Sequence, residues 1–425
     1  MQHHRTCGIF GLGFSLTSIV AGCEYGGDWG WPSYGGPPSG YSAADGSSPS
    51  GVIQGRDGNF YGATSNGGYF NQGTVFRVTP DGVETVLYSF AGGNADGANP
   101  TGNLVQGSDG NFYGATGSGG AGKCPGPEPV GYNGPPSTCG TLFKLTPNGA
   151  ETVLHIFSGG ADGGEPTGSL VQGSDGDFYG TTSYGSGTVF AITTQGEETA
   201  LYSFPNYTND GSKPSSLIVG SDGNFYGTTF IGGNSNYGTV FRITPAGAET
   251  VVLYSFLGGS DGELPSASLA EGSDGNFYGT TPFGGSSRDG TIFRITPSGD
   301  ETVLYSFPGG TKNGANPYTA LIQGDDGSFY GTTQAGGNEN NNPCGGGCGS
   351  LFKITPNGNE TTLYLFAAST MDGALPAGSL IQGSDGNFYG TTSGGGQFDG
   401  GTVFQITPAG VLTVLHSFTG AQNSQ

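Results

Sequence analysis

Short runs of alternating apolar and polar residues, each bounded by Gly, Asp or Pro, recur along residues 47–425. In the most legible stretch, Ser379–Gln382 is a brief apolar run and Asp385-Gly386 a turn. Asn387–Thr392, Gly401–Thr407 and Thr413–Phe418 follow as three further runs. Alternation with a period of two, rich in Thr, Val, Ile and aromatic residues, predicts β-strands, and the punctuation predicts tight turns between them. Thr79-Pro80-Asp81-Gly82 shows how such a turn works. Proline presets φ, and glycine takes the left-handed position that a hairpin bulge requires.

The pattern is one unit repeated seven times. A Phe-Tyr-Gly core recurs with its Tyr at 61, 113, 179, 226, 278, 330 and 389. A period near 50 marks stacked blades or solenoid units rather than several unrelated domains. In the third copy only Ser183-Tyr184-Gly185-Ser186 separate the second strand from the third, so that connection is a hairpin. After each fourth strand comes Asp/Asn-Gly-x-x-Pro, at Asp45, Asp96, Asp162, Asp210, Asp261, Asn313 and Asp372, which marks the crossover to the next unit. Seven four-stranded meanders with regular crossovers predict an all-β fold, a seven-bladed β-propeller of four-stranded antiparallel blades. A linear β-solenoid is the alternative, disfavoured because its coils are shorter and less turn-broken. Phe60, Tyr61, Phe76, Tyr88 and Phe90 have counterparts in the other copies, and packed sheets need bulky residues on both faces, so these rings are read as core.

Composition agrees and narrows the function. Glycine supplies 89 and proline 25 of 425 residues, yet 27 Phe, 21 Tyr and 2 Trp are too many for a chain without a core. With 33 acidic against 11 basic side chains the net charge is −22. That excludes nucleic acid as a partner and attraction to anionic lipid. The first 22 residues read as an export signal: Arg5 is their one charged residue, Gly8–Val20 is apolar, and Val20-Ala21-Gly22-Cys23 resembles the lipobox of bacterial lipoproteins. In that family the peptide is cut before the cysteine, so Cys23 is expected to carry a lipid anchor, followed by a Gly/Pro/Ser-rich tether over 23–46.

Little in the chain suggests catalysis. His3 and His4 leave with the signal, while His155 and His416 stand where other copies have Tyr, as structural strand residues. A Ser-His-Asp arrangement or a mixed Cys/His metal site would have to use one of these two. The recurrent acids fall at repeat positions: seven Asp in the first turn, six in the crossover, and Glu84, Glu151, Glu198, Glu249, Glu301 and Glu360 before the fourth strand. A glycosidase needs one pair made special by its surroundings, and no loop shows a calcium spacing. Neither a metal nor a cofactor is expected. Four cysteines break the repeat, all in loops between second and third strands: Cys124 and Cys139, Cys344 and Cys348. In an exported chain two local pairs read as disulfides closing enlarged loops. A zinc site using all four thiolates is the minority alternative.

Asp-Gly-Asn-Phe-Tyr-Gly-Thr-Thr, then Gly-Thr-Val-Phe-Arg-Ile-Thr, then Glu-Thr-Val-Leu-Tyr-Ser-Phe resembles the bacterial GloVer tandem repeat. Its members are described as choice-of-anchor tandem repeat proteins. The resemblance implies an extracytoplasmic, surface-attached chain with no established activity and no functional residues to transfer. Streptogramin lyases carry a similar Gly-x-Asp-Gly-Asn turn, but Phe-Tyr stands here where they favour Trp. The expectation is therefore a non-enzymatic, monomeric binding or structural module whose partner is a cell-envelope glycan or surface protein. The alternative is an exported propeller enzyme, a lyase or glycan-active hydrolase. Aromatics in the variable loops between second and third strands mark the expected ligand face: Tyr69, Phe70, Tyr132, Tyr184, Phe230, Tyr237, Phe283 and Phe398.

Overall fold

The computed structural model describes residues 45–122, 124, 138–205, 209–247, 250–310, 313–337 and 344–420. The expected signal, the lipid site at Cys23 and Tyr132 lie outside them. In the first blade, β1 (Ser47–Gln54), β2 (Phe60–Asn66), β3 (Thr74–Val78) and β4 (Glu84–Ser89) pair antiparallel in sequence order. Six further four-stranded sheets repeat this order, over residues 97–156, 166–203, 212–255, 270–306, 322–365 and 374–417. The first strands of neighbouring blades run side by side around a common axis, and the last blade packs against the first. The fold is a seven-bladed β-propeller in which no strand is exchanged between blades. Its described residues include no α-helix, and only a single 3-10 turn at Gly259–Asp261.

The Phe-Tyr-Gly core explains the ring. Phe and Tyr are successive on one strand and therefore point to opposite faces of the blade. Each Tyr consequently stacks on the Phe of the following blade, from Tyr61–Phe112 round to Tyr389–Phe60, with centroids 3.9–4.2 Å apart at all seven seams. A second series, Phe90–Phe143 and its equivalents, adds edge-to-face contacts at 5.0–5.5 Å. The glycine after each Tyr leaves room for the Phe of the third strand. A Cβ on Gly390 would stand 2.7 Å from Phe404 Cζ and 2.8 Å from Leu380 Cδ2.

Polar residues fix the turns and seams. In the first turn Asp57 accepts the Asn59 backbone and side-chain N–H groups and the Tyr61 hydroxyl, and Tyr–Asp bonds recur in all seven copies. Gln54 donates to Gly58 O within its own turn and accepts the Ser384 N–H of the last blade. Six seams carry this bridge through Gln or Glu; between blades three and four Val219 takes the place and no such bond forms.

The crossovers depart from the local preference of the chain. Pre-proline residues are expected to be extended. Here Ser48, Asn99, Glu165, Lys213, Leu264, Asn316 and Leu375 all have φ between 52° and 58°. The strain is held by one seam bond per blade: each donates its backbone N–H, at 2.8–2.9 Å, to a carbonyl in the preceding blade's second-to-third-strand loop. In five blades the first strand consequently starts within the Gly-x-x-Pro motif instead of after it, as in Gly97–Gln106. This seam bond also places the crossovers and the second-to-third-strand loops at one edge of the ring.

Candidate functional site

Around the axis the first strands present small residues after the crossover proline: Ser50, Gly102-Asn103, Thr167-Gly168-Ser169, Ser215-Ser216, Ser266-Ala267-Ser268, Thr319-Ala320 and Gly378-Ser379. Side chains this short cannot fill the middle of a seven-membered ring, and a cavity of about 480 Å³ remains. Every blade contributes to its wall, which is built mainly from Ser, Thr, Gly and Ala. Three larger side chains, Lys213, Phe230 and Tyr318, join it from the crossover edge.

The seven-fold symmetry fails on one side of this wall. In blades two, three and seven a glycine with φ 64–67° (Gly102, Gly168, Gly378) forms a bulge that restores strand pairing. Blades five and six have Ala267 and Thr319 at that point, which do not take the left-handed conformation. Their first strands shrink to Ala270–Glu271 and Ile322–Gln323. The residues just before run unpaired along the cavity, held by side chains: Thr228 donates to Ala267 O and Thr280 to Thr319 O, both at 3.1 Å. Tyr318 lies on this irregular wall, with Phe283 edge-on at 6.0 Å, and burial pushes its phenol pKa up. Asn103 Oδ1, Ser216 Oγ and Ser266 Oγ are buried side-chain oxygens of lining residues without a protein hydrogen-bond partner, each a cost of about 1–3 kcal/mol.

The loop aromatics do not form one platform. Phe230 enters the cavity wall and Phe283 supports Tyr318. Tyr69 and Phe70 form an edge-to-face pair on the rim of blade one, 57% and 51% exposed, and Phe398 and Tyr237 are exposed on blades seven and four. Tyr184 packs half-buried against the cluster that holds Cys124 and Cys139. The cysteines pair as Cys124–Cys139 and Cys344–Cys348. The second member of each pair supplies the seam carbonyl, Cys139 O to Glu165 N–H at 2.8 Å and Cys348 O to Leu375 N–H at 2.9 Å. Lys213, Tyr318 and the serine-rich wall escaped the sequence reading. Ala267 and Thr319, where copies two, three and seven have Gly, were a partial signal, because Ser216 of copy four also replaces the Gly and its first strand stays intact.

Titratable groups gather elsewhere, at the seams. His155 Nε2 meets Asp162 at 3.3 Å and His416 Nε2 meets Asp45 at 3.4 Å, as structural partners where other copies use Tyr. Burial pushes Glu84 and Glu198 up to about 7 beside these pairs, and does the same to Glu151 and Glu301 beside the Tyr88–Asp96 and Tyr254–Asp261 pairs. Ser158 bonds Asp162 instead of the imidazole, so this grouping lacks the order of a nucleophilic triad. Among the lining residues Lys213 and Tyr318 carry the ionisable side chains.

Fold and cavity together define a propeller with an axial pocket lined by small residues. The model of the Gloeobacter/Verrucomicrobia repeat matches residues 39–126, 130–343 and 302–425, and the chain belongs to that family. No protein of curated function matches the sequence. Among solved structures, a puromycin hydrolase S511A mutant complexed with PGG is similar at 13% identity and TM-score 0.57, over 90% of this chain and 56% of that one. A puromycin-hydrolysing peptidase of Mycobacterium tuberculosis gives 12% and 0.54 over the same shares. A 6-phosphogluconolactonase candidate from Bacteroides uniformis gives 16% and 0.52, over 86% of this chain and 95% of that one. The chain spans about half the length of the two peptidases, and at these identities the likeness is one of fold alone.

Proposed function

We propose that the protein is a non-enzymatic recognition module working outside the cytoplasm, and that its ligand is a polyhydroxylated chain such as a cell-envelope glycan. The axial cavity carries this reading: hydroxyls and backbone groups from seven blades, two aromatic rings for stacking, and no carboxylate on the wall. Acid–base hydrolysis draws on paired groups titrating near the working pH, whereas sugar recognition draws on hydroxyl partners and ring faces. Two disulfides suit an oxidising compartment. Attachment through a lipid on Cys23 and action as a monomer complete the proposal.

A glycan and cell-wall polymer array tests it, probed with the Cys23→Ala chain, which the lipoprotein reading makes soluble. Binding that falls at least about tenfold in Phe230→Ala and Tyr318→Ala supports the cavity. Binding unchanged by both, and lost on altering Tyr69 and Phe70, moves the site to the rim. Cys23→Ala protein that stays in membranes at normal amount and size ends the lipid-anchor proposal.

A further inference from the structure

Resting on that recognition reading, we infer that the ligand presents one anionic substituent to Lys213 while its sugar ring lies against Tyr318 and Phe230. Lys213 occupies the pre-proline position of blade four, filled by Ser, Asn, Glu and Leu in the other blades. The seam bond there uses only the backbone N–H, so the fold does not call for lysine. At φ 55° asparagine, as at Asn99 and Asn316, would suit the backbone better.

Charge makes the placement more pointed. The other described strand cations serve groups inside the fold: Arg77 and Arg294 lie beside Tyr61 and Tyr278, Arg242 beside Asp222, Lys144 beside Asp109, and Lys353 bonds Asp326 at 2.6 Å. Lys213 is exposed at the cavity and has no ion-pair partner among the described residues. Glu165 holds the equivalent position one blade back, with its carboxylate 3.5 Å from the cavity residue Ser183. One positive charge among the lining residues, on a chain of net charge −22, suits a ligand with one anionic substituent and repels a polyanion. An ammonium is a compact point charge that takes carboxylate or phosphate alike, so the shared chemistry is a singly substituted acidic sugar.

The test is titration of the full chain at about 0.15 M salt, where distant charges are screened, with glucose, glucuronic acid and glucose 6-phosphate, followed by ligand-observed NMR. At least one of the acids should bind about five- to tenfold tighter than glucose, and the better one identifies the anion. Lys213→Met should bring that ratio to about one while leaving glucose affinity in place, and Tyr318→Ala should weaken all three alike. Equal affinities in the unsubstituted chain, or a preference that survives Lys213→Met, overturns the inference and leaves cavity recognition of neutral sugars standing. Absence of binding by all three also overturns it, and the recognition reading is then judged separately by the array.

Discussion

Asp45 accepts the backbone N–H of Thr419 at 3.1 Å, from a residue 374 positions further along the chain. It also accepts the Thr419 hydroxyl at 2.6 Å and lies 3.4 Å from His416 Nε2, without a directed hydrogen bond to the ring. In the other blades the crossover Asp, or Asn313 after blade five, follows its own fourth strand, as Asp96 follows Tyr88. At the last blade the N-terminal segment supplies this carboxylate, from the far side of the sequence. Asp45 and Gly46, which the sequence reading assigned to the tether, are thus bound into the ring.

Replacing Asp45 with Ala should destabilise the whole propeller by about 1–3 kcal/mol, because two Thr419 donors lose their acceptor and His416 loses its neighbouring carboxylate in a partly buried seam. Burial raises the Asp45 pKa, but the contacts with His416 and Thr419 outweigh it and hold the group below 3.8. Its contribution is therefore present above that pH and lost as pH falls through the folded-state value. Urea unfolding of the two chains should differ at pH 7 and converge in acid. A constant gap down to pH 2 contradicts the assignment.

The seam glutamates predict the opposite slope near neutrality. Glu84, Glu151, Glu198 and Glu301 sit at about 7 when folded against an ordinary 4.5, so the folded chain holds more protons between those values. Stability then falls as pH rises from about 4.5 to 7 and stays low above it. His155, lowered by burial despite its bond to Asp162, acts in the other direction but is one group against four. With all four glutamates replaced by Gln, the melting temperature should change much less between pH 5 and 8. A wild-type melting temperature that climbs over this range refutes the sign.

Val219→Gln should stabilise the protein. At this seam the bridging amide is absent, and Ser174 is the donor equivalent to Ser384. The new side chain can reach Gly223 O in its own turn as Gln54 reaches Gly58 O. It also removes a Val that is 37% exposed. A gain of about 0.5–1.5 kcal/mol by denaturant unfolding is expected. A loss shows that the seam between blades three and four is set differently.

Reduction should loosen two particular seams. Because Cys139 and Cys348 carry the acceptor carbonyls, amide exchange at Glu165 and Leu375 should accelerate after thiol reduction. Lys213 bonds Ser186 O in a loop with no cysteine, and its exchange should stay unchanged. Equal acceleration at all three positions would mean that reduction acts globally.

The ring was legible in the sequence because Phe-Tyr-Gly, the Asp turn and the fourth-strand pattern recur at fixed phase, and each is needed at every seam. The cavity was less so. Its wall is Ser, Thr and Gly, residues that read as connection when they follow a proline, and their function lies in how little of the axis they fill. Among the loop aromatics, sequence could not separate Phe230, which turns toward the axis, from Phe398, which turns outward. That choice depends on where each second strand ends. The left-handed residues before proline were hidden for a related reason: a bond to another blade overrides the local preference of the chain.

Each hydrophobic cluster of the molecule draws on two blades: Tyr61, Val75 and Phe90 from the first pack with Leu104, Phe112, Phe143 and Leu145 from the second. The core units therefore lie between the sheets, and a single sheet is half of two of them. For a chain emerging from the ribosome or an export channel, this sets an order of events. The sixth seam can fill soon after the seventh repeat appears, but Phe60, Phe76 and Val78 wait for Tyr389, Val403 and Phe418. Until those last residues arrive, the earliest sheet keeps one oily face open. The youngest part of the polypeptide completes the oldest, which gives the nascent protein a long exposed interval that a holdase or rapid secretion would have to cover.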